Sequence, residues 1–355
     1  MRVLYFGTYE RDYPRNAQVI SALRAAGVEV LEQHVPVWEK RAHKWHAGPA
    51  ALARLALAEL LLHRRSSQDF DVLIVGYPGH LDLAPARRAA GDRPVVFNPL
   101  VSLFDTFVAD RKRFAPGSLA GRALAAIDRR ALRAADLVVA DTEANAEFLA
   151  RFAELPDGRV EVCLVGAEDR VFTPGWKPET PFKALFIGKL IPLHGLPTVL
   201  EAADLARDVP FRIVGSGQLE PLLRERPANV EHVPWVDYEL LPRELHAAGC
   251  ALGVFGTSDK AQRVIPNKVF QGLACGVPMV TAATPAAREL LADGETALLV
   301  PPGDSESLAA AVRRLADDGV LARRIAEAGR RSYEERASER VLGQRWRELL
   351  ERTLK

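Results

Sequence analysis

Cysteine is scarce in this chain, and long apolar runs and a charge of one sign are missing. Three cysteines, Cys163, Cys250 and Cys275, stand far apart without paired spacing. That argues against a disulfide framework or a structural zinc site and fits a reducing cytoplasm. Lysine and arginine nearly balance aspartate and glutamate, leaving a formal net charge of +1; a general nucleic-acid binder would be strongly basic. No run approaches the roughly 20 apolar residues of a membrane span. The nearest, ALARLALAELLLH from Ala51 to His63, is interrupted by Arg54 and Glu59 and followed by Arg64-Arg65. It reads as a buried amphipathic helix, with a membrane-surface helix as the alternative. The first residues, MRVLYFGTYERDYP, read as a strand entering a polar loop, with no apolar signal region.

What remains is ordinary soluble-protein material in quantity: 355 residues, 48% hydrophobic and 26% charged. That length favours two domains. Strand-like runs alternate with helical patterns, the signature of a parallel α/β sheet. The first series is VLYFG (Val3–Gly7), VEVLEQ (Val28–Gln33), DVLIVG (Asp71–Gly76), PVVFN (Pro94–Asn98), LVVAD (Leu137–Asp141) and VEVCLVG (Val160–Gly166). Helical segments include Asn16–Ala26, Leu119–Ala134 and Glu143–Phe152. The segment AEDRVFTPGWKPETP, 167–181, has no periodicity and reads as a linker. A second series follows: Phe182–Leu190, Pro210–Gly217, Asn229–Val236, Cys250–Gly256, Val277–Ala283 and Thr296–Gly303. The tail from Ser305 is helical, and Ser338–Leu354 places Val341, Leu342, Trp346, Leu349 and Leu350 on one face. The expectation is two doubly wound parallel-sheet domains in tandem.

In such sheets ligands bind where strands end and helices begin. Four loops of the second half qualify. GKLIPLHG carries Gly188, Lys189 and His194; VGSGQ carries Gly215, Ser216 and Gly217. GTSDKAQRVIPN leads into a helix that Pro266 and Asn267 open, with Asn267 as its candidate cap and Lys268 adding charge where the helix dipole already favours anions. TPAARE again places a proline near a helix start. Singly each turn is weak, since glycine-rich strand-to-helix turns also serve packing. Together they outline a diphosphate cradle. The pair His43 and His46 lacks a third ligand nearby and reads as surface or packing, beside Trp38 and Trp45, a possible apolar entrance. The run Arg111-Lys112-Arg113 reads as a solvated face, with a role beside anionic lipid as the alternative.

FIGKLIPLHGLPTVLEAA, RIVGSGQLEPLL, IPNKVFQGLACGVPMVTA and ARELLADGETALLVPPGD together resemble the donor half of retaining glycosyltransferases of family 4. FGTYERDYPRN, ALRAAGVEV and LRAADLVVADTEANAEFL agree more loosely with the first half. The resemblance implies the GT-B fold, two Rossmann-like domains facing across a cleft. Residues 1–166 would bind the acceptor and 182–337 a nucleotide-diphospho-sugar, while helix 338–355 crosses back to the first domain. It implies a hexose transferred with retention to an acceptor hydroxyl and no metal cofactor, the diphosphate being held by basic side chains and helix N-termini. The acceptor would be a glycan, a lipid-linked intermediate or a small molecule, in the cytoplasm or at the inner membrane face, with possible peripheral membrane contact.

By that resemblance Lys189 and Lys268 neutralise the leaving diphosphate and His194 hydrogen-bonds it. Gly215, Ser216 and Gly217, with Trp235 and Val236, approach base and ribose. Gln271 stands where the family has a ribose-binding Glu, Arg263 where it has a second Glu near the sugar, and His194 where it has Lys. Ser258 and Asp259, with nearby backbone amides, are then candidates for the sugar contacts. On the acceptor side the candidates are Gly7, Thr8, Arg15 and Asp105. Asp105 either orients the acceptor hydroxyl or caps a turn; Arg15 meets a phosphate or is solvated. Two alternatives remain open: a nucleotide-sugar 2-epimerase, which needs carboxylates and histidines around the sugar, and a glycosyltransferase-like subunit that binds nucleotide without turnover. A dehydrogenase fits poorly, because GTYERDYPRN replaces the Gly-x-Gly-x-x-Gly turn.

Overall fold

The first parallel sheet is built around short apolar runs buried along nearly their whole length, as strands covered on both faces must be, with partly exposed strands at its two edges. In the computed structural model, which describes residues 1–11, 13–37, 49–63 and 69–355, these strands are β1 (Arg2–Gly7), β2 (Glu29–His34), β3 (Val72–Val75), β4 (Val95–Phe97), β5 (Leu137–Ala140) and β6 (Val160–Val162). Their order is β2-β1-β3-β4-β5-β6, all parallel. The helices are α1 (Pro14–Ala25), α2 (Pro49–Leu62), α3 (Leu83–Ala90), α4 (Leu119–Ala134) and α5 (Glu143–Ala153). Ser118 and Thr142 cap α4 and α5, each accepting a backbone N–H from three residues on.

The second sheet runs β12-β11-β10-β7-β8-β9, again parallel. Its strands are β7 (Ala184–Ile187), β8 (Phe211–Val214), β9 (Val230–Val233), β10 (Cys250–Leu252), β11 (Met279–Ala282) and β12 (Leu298–Val300). Around it lie α6 (Leu196–Leu205), α7 (Leu241–Ala247), α8 (Asn267–Cys275), α9 (Pro285–Arg288), α10 (Ser305–Asp317) and α11 (Gly319–Arg336).

The chain divides into two compact units. One comprises Met1–Val108, Lys112–Val165 and Glu339–Lys355; the other comprises Ala109–Arg111 and Gly166–Ser338. The expected linker, 167–181, thus belongs to the second unit. It stays irregular but is anchored there: Phe172 is fully buried, and Tyr333 of α11 donates to Asp169 at 2.6 Å. The last helix, α12 (Glu339–Thr353), joins the first unit by packing along α1. Leu342, Trp346, Leu349 and Leu350 are buried in a core shared with Val3, Tyr5, Val19 and Leu23.

Gly343 sets the distance between α1 and α12. A Cβ at this position would lie 2.2 Å from the Ala22 carbonyl oxygen, backbone against backbone. A mid-helix glycine ordinarily costs about 1 kcal/mol against alanine, so its presence marks a close approach. Gly343→Leu should therefore separate the helices and cost about 1–3 kcal/mol by overpacking. A melting temperature unchanged from the parent would refute that packing argument.

Helix α2 departs from its expected burial. Ala58 and Leu62 are buried, but Leu57, Leu60 and Leu61 face outward. Its sequence is apolar nearly all round, so burying one edge leaves leucines exposed on the others. His43, His46, Trp38, Trp45 and Arg64-Arg65 lie outside the described residues. Among the described residues no helix is long and apolar enough to cross a membrane.

Candidate functional site

Three loops of the second unit meet at Gly188, which follows β7. Its amide donates to the Val214 carbonyl at the end of β8, and the Leu190 amide donates to the Ser216 carbonyl at 3.0 Å. Gly215 has φ +140°, and a Cβ there would lie 2.0 Å from the Gly188 carbonyl oxygen. Only glycine combines that backbone conformation with that approach. On the other side, a Cβ on Gly188 would lie 3.1 Å from Lys268 Cε and 3.2 Å from Lys268 Nζ. The structure therefore brings Gly188, Lys189, Gly215, Ser216, Gly217 and Lys268 together.

Lys268 is the most unusual of them. It lies in the first turn of α8 and is 7% exposed, with Nζ 3.5 Å above the centroid of the Phe186 ring. Its ammonium has no hydrogen-bond partner among the described residues, and burial holds its pKa well below the ordinary lysine value. An unpaired buried polar group costs roughly 1–3 kcal/mol, so its retention calls for a reason.

His194 closes a short 3-10 turn (Pro192–His194) and is half-buried. Burial and the Lys268 cation, with Lys189 and Lys260 contributing, keep its pKa well below the usual histidine range. Its Nδ1 lies 2.6 Å from the Lys189 carbonyl oxygen. A carbonyl can only accept, so Nδ1 carries the proton and the neutral ring leaves Nε2 as an acceptor. The expected hydrogen bond from His194 to a diphosphate therefore requires the ring to take up a proton. Lys189 itself is exposed on the loop.

The remaining candidates of this unit surround that cradle. Trp235, 74% exposed, follows β9, its indole N–H donating to Asp237 at 3.1 Å; Val236 is half-buried. Gln271 is buried one turn beyond Lys268. Ser258 accepts from the Ala261 amide at 3.2 Å, ahead of the short turn that carries half-buried Arg263; Asp259 is exposed. Asn267 is not a cap. Pro266 occupies the cap position without a side-chain hydrogen bond, and Asn267 is the first helical residue. The proline's fixed extended approach to the helix takes the place of a side-chain acceptor.

In the first unit, Gly7 and Thr8 end β1 against Asp82, which accepts from the Thr8 amide at 2.7 Å and from its hydroxyl at 3.1 Å. Asp82 is buried and faces Glu59 of α2. Burial raises both carboxyl pKa values, each helped or checked by the other. Nothing in the local sequence signals this pair, which comes from separate elements. Arg15, expected to meet a phosphate or to be solvated, is fully buried and so is not solvated. Its guanidinium donates to Asn98 at 2.9 Å and to the carbonyls of Cys163 and Leu164, and sits over the Trp346 ring. It ties α1 to β4, to the end of β6 and to α12. Asp105 is buried at the start of a π-helical turn, Asp105–Asp110, its amide donating to the Ser102 hydroxyl. Sequence reading missed His80, buried beside Asp128, and Asp128 itself, which accepts from Ser102 and from the Leu103 and Phe104 amides. Among the described residues no group of three His, Cys, Asp or Glu side chains is spaced to hold a metal ion.

Residues 2–166 match the family described as glycosyl transferase 4-like domain, and residues 181–318 match glycosyl transferases group 1. A phosphatidyl-myo-inositol mannosyltransferase from Mycobacterium leprae is 35% identical over 147 residues, which is 40% of this chain and 37% of that protein. The chain thus spans well under two thirds of that curated relative. Among solved structures, sucrose-phosphate synthase from Thermosynechococcus elongatus superposes with a TM-score of 0.76 at 17% identity, covering 99% of this chain and 98% of that one. Anabaena HepE in complex with UDP-glucose gives 0.69 at 17% identity, covering 99% and 100%. The two sheets have the GT-B fold, and on both matched segments the chain is a member of the GT-B glycosyltransferases.

Proposed function

We propose that the chain transfers a hexose from a nucleotide-diphospho-sugar to an acceptor hydroxyl, with retention, in the manner of family 4 and without a metal. One observation carries this reading: the buried ammonium of Lys268, without a hydrogen-bond partner, set against Gly188 at the amino end of α8. A diphosphate would satisfy that ammonium and the helix amides together. The cations there, Lys189 and Lys268, are the chemistry of a site that neutralises phosphate directly; a divalent ion would compete with them for the same charge. As the leaving group departs, charge accumulates on its phosphate oxygen, where fixed donors act most strongly. That oxygen then takes the acceptor proton, so the reaction needs no strong protein base. Asp105, with Gly7 and Thr8, would belong to the acceptor side of the first unit; Arg15 serves as its internal tie.

The reading is supported by a relative that acts on a phosphatidyl-inositol and by a fold neighbour in complex with UDP-glucose. A glycan, lipid-linked or small-molecule acceptor, with peripheral contact to an inner membrane face, follows as part of the same proposal. An epimerase finds less support, because the cradle holds cations where proton transfer at the sugar would need carboxylates.

The test is a thermal-shift screen of UDP, GDP, ADP and dTDP, each with and without a chelator. One nucleotide should stabilise the protein by about 2.7 kcal/mol at a hundred times its dissociation constant, a shift of several degrees that the chelator leaves unchanged. Lys189→Ala should weaken it. Silence from all four nucleotides would remove the donor-site argument. Transfer of a labelled sugar to an acceptor, with the anomeric configuration read by NMR, separates transferase from epimerase and retention from inversion.

A further inference from the structure

Glu168 is a buried carboxylate in the irregular segment 167–181. Its backbone carbonyl accepts from the amides of Val171 and Phe172 at 2.9 and 2.8 Å, which fixes a tight turn. Phe172 is fully buried, and its ring meets that of Tyr238 edge to face at 5.4 Å. From there the Tyr238 hydroxyl donates to one carboxylate oxygen of Glu168 at 3.1 Å, and Arg170 donates to the other at 2.8 Å. Gln271, 5% exposed, approaches the same Tyr238 hydroxyl from α8. Four polar side chains from three separate segments thus converge, and two of them, Glu168 and Gln271, are nine-tenths buried or more.

The place of this cluster is informative. Tyr238 follows Trp235 and Val236, the loop at the carboxyl end of β9. Gln271 lies one turn beyond Lys268, roughly 4.5 Å further along the helix axis. On the donor-site reading above, on which this inference rests, the base lies toward Trp235 and the diphosphate toward Lys268. What spans that interval in a nucleoside diphosphate is the ribose. A ribose presents two vicinal hydroxyls as donors. The single amide oxygen of Gln271 accepts from one of them well, whereas a carboxylate accepts from both. Each Glu168 oxygen already holds one hydrogen bond and retains a second lone pair.

We infer that Glu168, held in place by Tyr238 and Arg170, shares the ribose hydroxyls with Gln271 and makes the site select ribonucleotides over 2′-deoxyribonucleotides. Glu168 is then a binding residue and Tyr238 a positioning residue.

The experiment uses the full chain and measures dissociation constants of UDP, GDP and ADP and of their 2′-deoxy counterparts. The wild type should prefer the ribonucleotide of its best-bound base by about tenfold or more, the value of a hydrogen bond to a charged acceptor. In Glu168→Gln that preference should collapse to within about threefold, through weaker ribonucleotide binding while deoxyribonucleotide binding stays the same. Tyr238→Phe should reduce the preference less. A role confined to pinning the turn would weaken both nucleotides equally. Preference unchanged in both variants, or equal loss for both sugars, overturns the inference, and Tyr238→Phe carries the test if Glu168→Gln fails to fold. Wild-type binding without ribose preference defeats this inference alone; absence of any nucleotide binding defeats the donor-site reading with it.

Discussion

Lys268→Met should make the free protein more stable and, at the same time, nearly inactive. The substitution keeps an unbranched, flexible side chain, one heavy atom shorter, and removes a buried ammonium that has no hydrogen-bond partner among the described residues. Relief of that unpaired group is worth roughly 1–3 kcal/mol. The lost contact with the Phe186 face subtracts about 0.5–2 kcal/mol, and a thioether over an aromatic ring returns part of that. A net gain on the order of 1 kcal/mol is expected. Against it, on the proposed function, a donor aimed at the developing phosphate charge is lost, which typically costs about 100-fold or more in kcat. A variant that unfolds earlier and still turns over would sink the assignment.

The same lysine fixes two opposite pH dependences. Its folded pKa lies below its unfolded value, so within that window the unfolded chain binds a proton that the folded chain does not. Stability of the free protein therefore rises with pH across the window and falls as pH drops through the folded pKa. Diphosphate binding works the other way, because an anion raises the pKa of Lys268 and of His194 and draws protons in. Nucleotide affinity should fall as pH rises, with calorimetric heats that depend on the buffer's ionisation enthalpy. Lys268→Met should flatten both slopes.

Trp346→Ala should be the most damaging substitution in the first unit. The side chain is 1% exposed, among Val3, Tyr5, Val19, Leu23 and Leu350, and carries the Arg15 guanidinium 5.8 Å above its ring. Truncations of this kind cost about 3–5 kcal/mol. Here the loss also strips a fully buried cation of its aromatic face. Urea unfolding should show an early transition belonging to the first unit, with the second unit's transition in place. A loss below about 1 kcal/mol would mean that α12 contributes little to that core.

Most strands were legible because each is a short apolar run between polar turns, and two series of six emerge from the sequence alone. Their ends were less so. Cys250–Gly256 reads as one strand, yet β10 stops at Leu252, where Thr281 takes over the Val254 amide through its hydroxyl. The meeting of the Gly188, Gly215 and Lys268 segments was legible because glycine and lysine at strand ends report local backbone and charge. Arg15 was not. Its burial depends on Asn98, Cys163, Leu164 and Trp346, which only the folded chain brings to one place. Glu168 was hidden for the same reason: its partners lie on a turn and a helix far along the chain.

Helix α12 also orders events in time. Residues 1–165 leave the ribosome first but lack the Trp346 face that completes their core. The second unit, finished at Ser338, can reach its native packing while the first still waits for its last helix. The part of the chain that is synthesised first is therefore the last to close, and until then the groove along α1 is exposed to chaperones and to misplaced neighbours.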